Sequence, residues 1–179
     1  MAIKITFLGA GSSVFVRNVL GDCIIHPELE DLTFALYDID AQRLEDSYLM
    51  LHAICAHYGK SVKMEKYVGV EELPQALTGA NFLICAIQVG GYDPCTISDF
   101  EIPKKYGLRQ TIADTLGVGG VFRALRTIPV MEMFGKMAEK YCPNAVFLNY
   151  SNPMGMLSGY MERYCNVQFV GLCHSVQVA

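Results

Sequence analysis

Apolar residues are concentrated in six short segments, and polar or amphipathic stretches separate them. Short segments rich in β-branched and aromatic residues are typical of strands. The predicted strands are residues 4–8, 32–37, 62–67, 81–87, 145–149 and 167–172. The third segment alternates between apolar and polar positions, which indicates an exposed or edge strand. The fourth is continuously apolar, which indicates burial on both faces.

Helical periodicity fills most of the stretches between these strands. The pattern predicts helices at residues 14–20, 41–58, 71–77, 123–140 and 154–163. Pro129 marks either the start of the fourth helix or a kink within it. Strands that alternate with helices predict an α/β, Rossmann-like doubly wound fold. We expect six parallel strands in the order 3-2-1-4-5-6, with right-handed crossovers.

Two glycines one residue apart, Gly9 and Gly11, follow the first predicted strand and precede the first helix. A strand, a glycine turn and a helix open the dinucleotide-binding folds. Gly9 permits the tight turn, Gly11 lets the backbone approach a pyrophosphate, and the helix N-terminus faces the phosphates. Val14 stands where the fingerprint has its third glycine. Ser12 and Ser13, at the start of the helix, are further candidate cofactor-binding residues.

An acidic residue, Asp38, follows the second predicted strand. Dinucleotide-binding folds place a carboxylate there to accept hydrogen bonds from the ribose hydroxyls of NAD. The alternative is a cap or turn residue, because Asp38 and Asp40 lead into a helix. The order of strand, turn, helix, strand and acid favours the cofactor-binding interpretation.

The region from residue 88 to 120 is rich in glycine and proline and is predicted to be irregular. A long loop after the fourth strand lies beside the point where doubly wound sheets bind ligands. Asp114 is its candidate ligand-binding residue, and an ordinary surface carboxylate is the alternative.

Polar residues also follow the last two predicted strands. Asn149 and Asn152 lie at the end of the fifth strand and in the turn after it, and Cys173 and His174 follow the sixth. The carboxyl ends of parallel strands lie on one edge of the sheet, so these residues are expected at the same edge as Gly9. A thiolate binds divalent transition metals, and an imidazole binds metals or carries protons. Spacing alone favours the alternative of a buried thiol beside a satisfied histidine.

Composition narrows the classes of function. The 179 residues are 52% hydrophobic and 18% charged, which indicates one domain with a sizeable core. The net charge of −4, without a basic run, argues against nucleic acid and anionic membranes as partners. No membrane span or signal peptide is visible, and the seven cysteines suit reduced thiols, so we expect a cytoplasmic protein.

Several motifs together resemble glycoside hydrolase family 4, and most closely its bacterial α-galactosidases. They are Gly9-Ala-Gly-Ser12, Tyr37-Asp-Ile-Asp40, Gln88-Val-Gly-Gly-Tyr92, Thr111-Ile-Ala-Asp-Thr115, Leu125-Arg-Thr-Ile-Pro129, Asn149-Tyr-Ser-Asn-Pro-Met154 and Gly171-Leu-Cys-His-Ser-Val-Gln177. The resemblance covers the whole chain.

The resemblance implies hydrolysis of α-galactosides such as melibiose by an NAD- and Mn²⁺-dependent redox elimination. NAD⁺ takes hydride from C3 of the sugar, a base removes the C2 proton, and the glycosidic bond is eliminated before water adds and the hydride returns. The metal polarises the C2 and C3 oxygens. By resemblance, Cys173 is a metal ligand, His174 is the catalytic acid, Asn152 and Asp114 bind substrate, and Asn149 binds the cofactor.

Members of the family are much longer than this chain. The second metal ligand, the catalytic base and most of the sugar pocket would therefore lie beyond Ala179. We expect residues 1–179 to be the NAD-binding domain, inactive alone and homo-oligomeric through uncovered apolar surface. The alternatives are an α-glucosidase or α-glucuronidase of the family, a lactate/malate-type dehydrogenase domain, and a non-catalytic nucleotide-binding module.

Overall fold

The computed structural model describes residues 2–110 and 115–173. These residues form a six-stranded parallel sheet in the order β3-β2-β1-β4-β5-β6. The strands are β1 (Ile3–Leu8), β2 (Leu32–Asp38), β3 (Lys63–Val68), β4 (Phe82–Cys85), β5 (Val146–Asn149) and β6 (Gln168–Gly171). The predicted fold class and strand order are confirmed, and β3 is the edge strand that its alternating pattern indicates.

Helices connect the strands and cover the sheet. They are α1 (Ser13–Phe15), α2 (Gly21–Ile25), α3 (Ala41–His57), α4 (Leu73–Leu77), α5 (Ile97–Lys105), α6 (Gly117–Tyr141) and α7 (Met154–Tyr164). A π-helical turn, Val16–Leu20, joins α1 to α2. Asp40 caps α3, because its side chain accepts hydrogen bonds from the backbone N–H groups of Gln42 and Arg43.

The region after β4 differs from the prediction. The sequence predicts irregular structure at 88–120, but a π-helical turn (Gly91–Thr96) and α5 occupy much of it. Pro103 lies within α5 and Pro129 within α6, so Pro129 does not start its helix. The reason is tertiary packing: Asp99 and Pro103 are buried on α5, and an ion pair from Asp99 to α6 stabilises a helix that local propensity disfavours.

The sheet separates two apolar cores. On one face, α4, α6 and α7 pack against the sheet through residues such as Phe134 and Met161. On the other face, α2 and α3 pack against it through residues such as Ile24 and Leu51. Adjacent residues Phe7 and Leu8 of β1 are both fully buried, one in each core, so the central strand is covered on both sides.

Two further findings concern the cysteines and the apolar character of the helices. All seven cysteines lie in the described residues, and none of them forms a disulfide bond. Within residues 2–110 and 115–173, no helix combines the length and the apolar character that crossing a membrane requires.

Candidate cofactor-binding site

The turn after β1 runs between the ends of β2 and β4. The N–H groups of Gly9 and Ala10 both donate to the carbonyl oxygen of Tyr37, each at 2.9 Å. Gly9 has a φ of 89°, and a Cβ placed on it would lie 2.7 Å from the carbonyl oxygen of Ala86 and 2.8 Å from Cγ2 of Ile87. Only glycine satisfies both the backbone angle and this close approach to β4.

The second glycine lies against the carboxylate at the end of β2. The N–H of Gly11 donates to Asp38 Oδ2 at 2.6 Å, and the N–H of Asp40 donates to Oδ1 at 3.0 Å. A Cβ on Gly11 would lie 2.8 Å from Oδ2. Asp38 is therefore a turn residue, as the alternative interpretation holds. Asp38 is also half-buried at the carboxyl end of β2, the place in the chain where the fingerprint has its ribose acceptor, and that role stays a prediction.

The start of the first helical segment is open to solvent. Ser12 is half-buried and makes no side-chain cap hydrogen bond, and Ser13 is exposed. Val14, at the position of the missing third glycine, is 62% exposed. Its side chain does not enter the helix–strand contact that a third glycine usually permits, which explains how this departure from the fingerprint is accommodated.

The turn after β5 is tied to the end of β4 by Ser151, a residue that the sequence interpretation missed. Ser151 Oγ accepts a hydrogen bond from the N–H of Ile87 at 2.9 Å and lies 3.5 Å from Cys85 Sγ. Burial raises the pKa of the Cys85 thiol to about 12, so the thiol stays protonated at neutral pH. No sequence pattern distinguishes a serine in this role from one in an ordinary polar turn.

Asn149 holds the same turn. Its Nδ2 donates to the carbonyl oxygen of Ser151, and its Oδ1 accepts from the N–H of Ser151, both at 3.0 Å. The side chain is fully buried. Both of its polar atoms thus have partners within the protein, and direct contact between Asn149 and a cofactor stays a prediction. Asn152, the predicted substrate contact, is half-buried just before α7.

The metal side of the prediction is incomplete in the described residues. Cys173 is half-buried two residues after the end of β6, and the N–H of Leu172, between them, donates to the carbonyl oxygen of Asn149 at 2.8 Å. His174 and Asp114 lie outside the described residues. Among those that are described, no group of three or more histidine, cysteine, aspartate or glutamate residues could hold a metal ion. The glycine turn and Asp38 fit NAD, whereas the donors present do not fit a complete Mn²⁺ site.

The chain is similar to known proteins of one family. A model of the family 4 glycosyl hydrolases matches residues 4–179. An α-galactosidase of Bacillus subtilis is 57% identical over 175 residues, which are 98% of this chain and 40% of the relative. An α-galacturonidase of Thermoanaerobacter italicus is 34% identical over 176 residues, which are 97% of this chain and 37% of the relative. The chain thus spans about two-fifths of the length of these relatives.

Solved structures give the same result. A Thermotoga maritima 6-phospho-β-glucosidase with NAD and glucose-6-phosphate superposes with a TM-score of 0.86 at 26% identity, over 99% of this chain and 41% of that one. The same enzyme with manganese, NAD⁺ and glucose-6-phosphate gives 0.81 at 27% identity, over 96% and 40%. A lactate dehydrogenase from Eimeria maxima gives 0.63 at 15% identity, over 96% and 44%, which is a likeness of fold alone.

Proposed function

The chain belongs to the family 4 glycosyl hydrolases, and from this membership we propose that residues 1–179 form the NAD-binding domain of an NAD- and Mn²⁺-dependent α-galactosidase. The observation that carries the proposal is the arrangement of Gly9, Gly11 and Asp38. At both glycines a Cβ would collide with neighbouring atoms, and the carboxylate lies within 2.6 Å of the Gly11 N–H.

The proposed role of the domain is to hold and orient the dinucleotide. Asp38 accepts hydrogen bonds from ribose hydroxyls, and the backbone at Gly11 admits the pyrophosphate. The hydroxyls of Ser12 and Ser13 donate to phosphate oxygens. NAD, when bound, supplies the hydride acceptor for C3 of the sugar.

Residues 1–179 supply only part of the proposed substrate and metal site. Asn149 fixes the turn that presents Asn152, whose amide orients a sugar hydroxyl. Cys173 supplies one thiolate ligand for the divalent metal, His174 acts as the acid, and Asp114 contacts substrate. The remaining metal ligand and the catalytic base belong to the part of the family fold that these residues do not supply.

The proposed substrate is an α-galactoside such as melibiose. Identity of 57% to an α-galactosidase, against 34% to an α-galacturonidase, supports galactose over the other sugars of the family. The dehydrogenase alternative rests on fold alone, at 15% identity.

We also propose that the protein is cytoplasmic. We further propose that it self-associates, because apolar side chains such as Leu125 on α6 are exposed.

Isothermal titration of the purified chain with NAD⁺ tests the proposal. We expect at best weak, one-to-one binding, and Asp38→Ala should weaken it about tenfold or more, since a charged acceptor for the ribose is lost. Asp46→Ala is the control, because Asp46 is exposed on α3. An unchanged affinity in Asp38→Ala would contradict the assigned site.

A turnover assay tests the proposal that the catalytic base and the remaining metal ligand are not supplied by residues 1–179. Turnover of an aryl α-galactoside by the chain alone, with NAD⁺, Mn²⁺ and a thiol reductant, would contradict it.

A further inference from the structure

An ion pair between a buried aspartate and a partly exposed arginine joins α5 to α6. Asp99 on α5 is 2% exposed, and Arg126 on α6 donates from Nη1 to Asp99 Oδ1 at 2.8 Å and from Nη2 to Oδ2. The hydrogen bonds to Asp99 raise the pKa of the guanidinium. Removing one partner of such a pair leaves an unpaired charge and destabilises the fold, whereas replacing both by apolar residues of similar size is often neutral. A bidentate pair also specifies geometry.

The guanidinium also lies against the connection between β4 and α5. Gly90 has a φ of 86°, and a Cβ added to it would lie 2.4 Å from Cys95 Sγ and 3.6 Å from Arg126 Nε. That Nε is buried and has no hydrogen-bond partner in the described part of the chain. The backbone at Gly90 therefore packs against Cys95 and Arg126, and Arg126 is in turn paired with Asp99.

This connection begins at the candidate NAD site. Ala86 and Ile87, which follow β4, supply the atoms closest to a Cβ on Gly9, and the N–H of Ile87 is held by Ser151. Gly90 comes three residues later along the same chain segment. The connection after β4 is thus held by Ser151 at Ile87, beside the Gly9 turn, and by the cluster around Arg126 at Gly90.

We propose that Arg126 and Asp99 are a positioning pair: by anchoring the 88–96 segment, they fix Ala86 and Ile87, which precede it, beside the Gly9 turn and thereby set the affinity for NAD. The proposal rests on the proposed NAD binding. Its competitor is a pair that only stabilises the contact between α5 and α6. In that case unfolding would change in the variants and the NAD affinity of the folded fraction would not.

A double-mutant cycle separates these two roles. Arg126→Met, Asp99→Asn and the double variant are titrated with NAD⁺ below their unfolding temperatures. We expect each single change to weaken binding about tenfold and the double change to add less than about twofold, because the two residues act as one unit. Arg126→Lys should recover only part of the affinity, since an ammonium cannot replace the planar fork.

Lys136→Met is the matched control. It removes the exposed ion pair with Glu139 on the same helix, and the affinity for NAD should stay within about twofold. Affinities of the Arg126 and Asp99 variants within that same range, together with a lowered unfolding temperature, would overturn the proposal.

A pair of glycine variants tests the segment without touching the ion pair. Gly90→Ala and Gly91→Ala both place a Cβ at positive φ, 86° and 65°, but only the first meets neighbouring atoms, because nothing lies within 4 Å of a Cβ on Gly91. We expect Gly90→Ala to weaken NAD binding about tenfold and Gly91→Ala to leave it within about twofold. Equal losses in both would overturn the inference.

A readout without NAD keeps the inference distinguishable from the proposed function. Cys95 is half-buried against Gly90, so its alkylation rate, followed by peptide mass spectrometry, reports the packing of the segment. If the wild-type chain does not bind NAD, the proposed function fails. A severalfold faster alkylation in Arg126→Met would still show that the pair holds the 88–96 segment in place, and an unchanged rate would overturn that part of the inference.

Discussion

Along the carboxyl ends of the parallel strands, the half formed by β1 and β2 differs from the half formed by β6. They differ in the partners of their polar groups and in the burial of their apolar side chains. At the ends of β1 and β2, Gly9 and Gly11 have hydrogen-bond acceptors for their N–H groups. The adjacent side chains of β1 are fully buried on both faces of the sheet. At β6, Val170 is 44% exposed, and Cys173 has no companion set of metal ligands among the described residues. The proposed dinucleotide half of the site is therefore held together by contacts between described residues, whereas the proposed metal half needs groups that the described residues do not bring together.

The sharpest test of the first half is Gly9→Ala. The new Cβ would lie 2.7 Å from a backbone carbonyl at a φ of 89°, so both strain and overlap oppose it. We expect a loss of about 3 kcal/mol or more in the free energy of unfolding, measured by urea titration. Gly59→Ala is the control, because its φ is 61° and nothing lies within 4 Å of the new Cβ; about 1 kcal/mol is expected there. Equal losses would show that the turn is not tightly packed against β4.

Asp38→Ala should have the next largest effect. It removes the acceptor of the Gly11 N–H at 2.6 Å and of the Asp40 N–H at 3.0 Å. Charge-assisted hydrogen bonds of this kind stabilise the folded state by about 1–3 kcal/mol. Urea titration should therefore show a lowered free energy of unfolding, in addition to the weaker NAD binding. In Asp46→Ala, which removes an exposed hydrogen bond to Gln42, the change should be below about 0.5 kcal/mol. A loss in Asp38→Ala no larger than this would contradict the role of the carboxylate in the turn.

Alkaline pH should destabilise the well-packed end of β4. The pKa of Cys85 is raised by burial from 9.0 to about 12, so the folded state holds the thiol proton more tightly than the unfolded state. The stabilisation is complete below pH 9 and is lost as pH rises toward 12. Between pH 8 and pH 10 we expect a loss of about 1–2 kcal/mol, and a shallower decline in Cys85→Ala, in urea titrations. Identical pH profiles would contradict the burial of this thiol.

Much of the β1–β2 half could be predicted from the sequence, because its signals are short sequence patterns. The pattern is a short apolar run followed in a fixed order by Gly9, Gly11 and Asp38, and strand periodicity predicts the strands around them. The partnership of Ser151 with Ile87 could not be predicted, since it joins residues 64 positions apart. The helix α5 was missed for a similar reason: its Asp99 contacts Arg126, which is 27 positions away, and glycine and proline nearby favour a loop by local propensity.

The smallest expected effect concerns the incomplete half. Cys173 is the one predicted metal ligand within the described residues, and these contain no group of three or more possible ligands. Because Mn²⁺ prefers oxygen donors, we expect only weak binding. When the dissociation constant is no lower than the metal concentration, linkage limits stabilisation to about 0.4 kcal/mol. We therefore expect about 1 mM Mn²⁺ to leave the thermal unfolding of wild type and Cys173→Ala nearly the same, with EDTA as the reference. A large stabilisation by Mn²⁺ that Cys173→Ala removes would show that residues 1–179 complete the metal site, and the difference between the two ends of the sheet edge would then disappear.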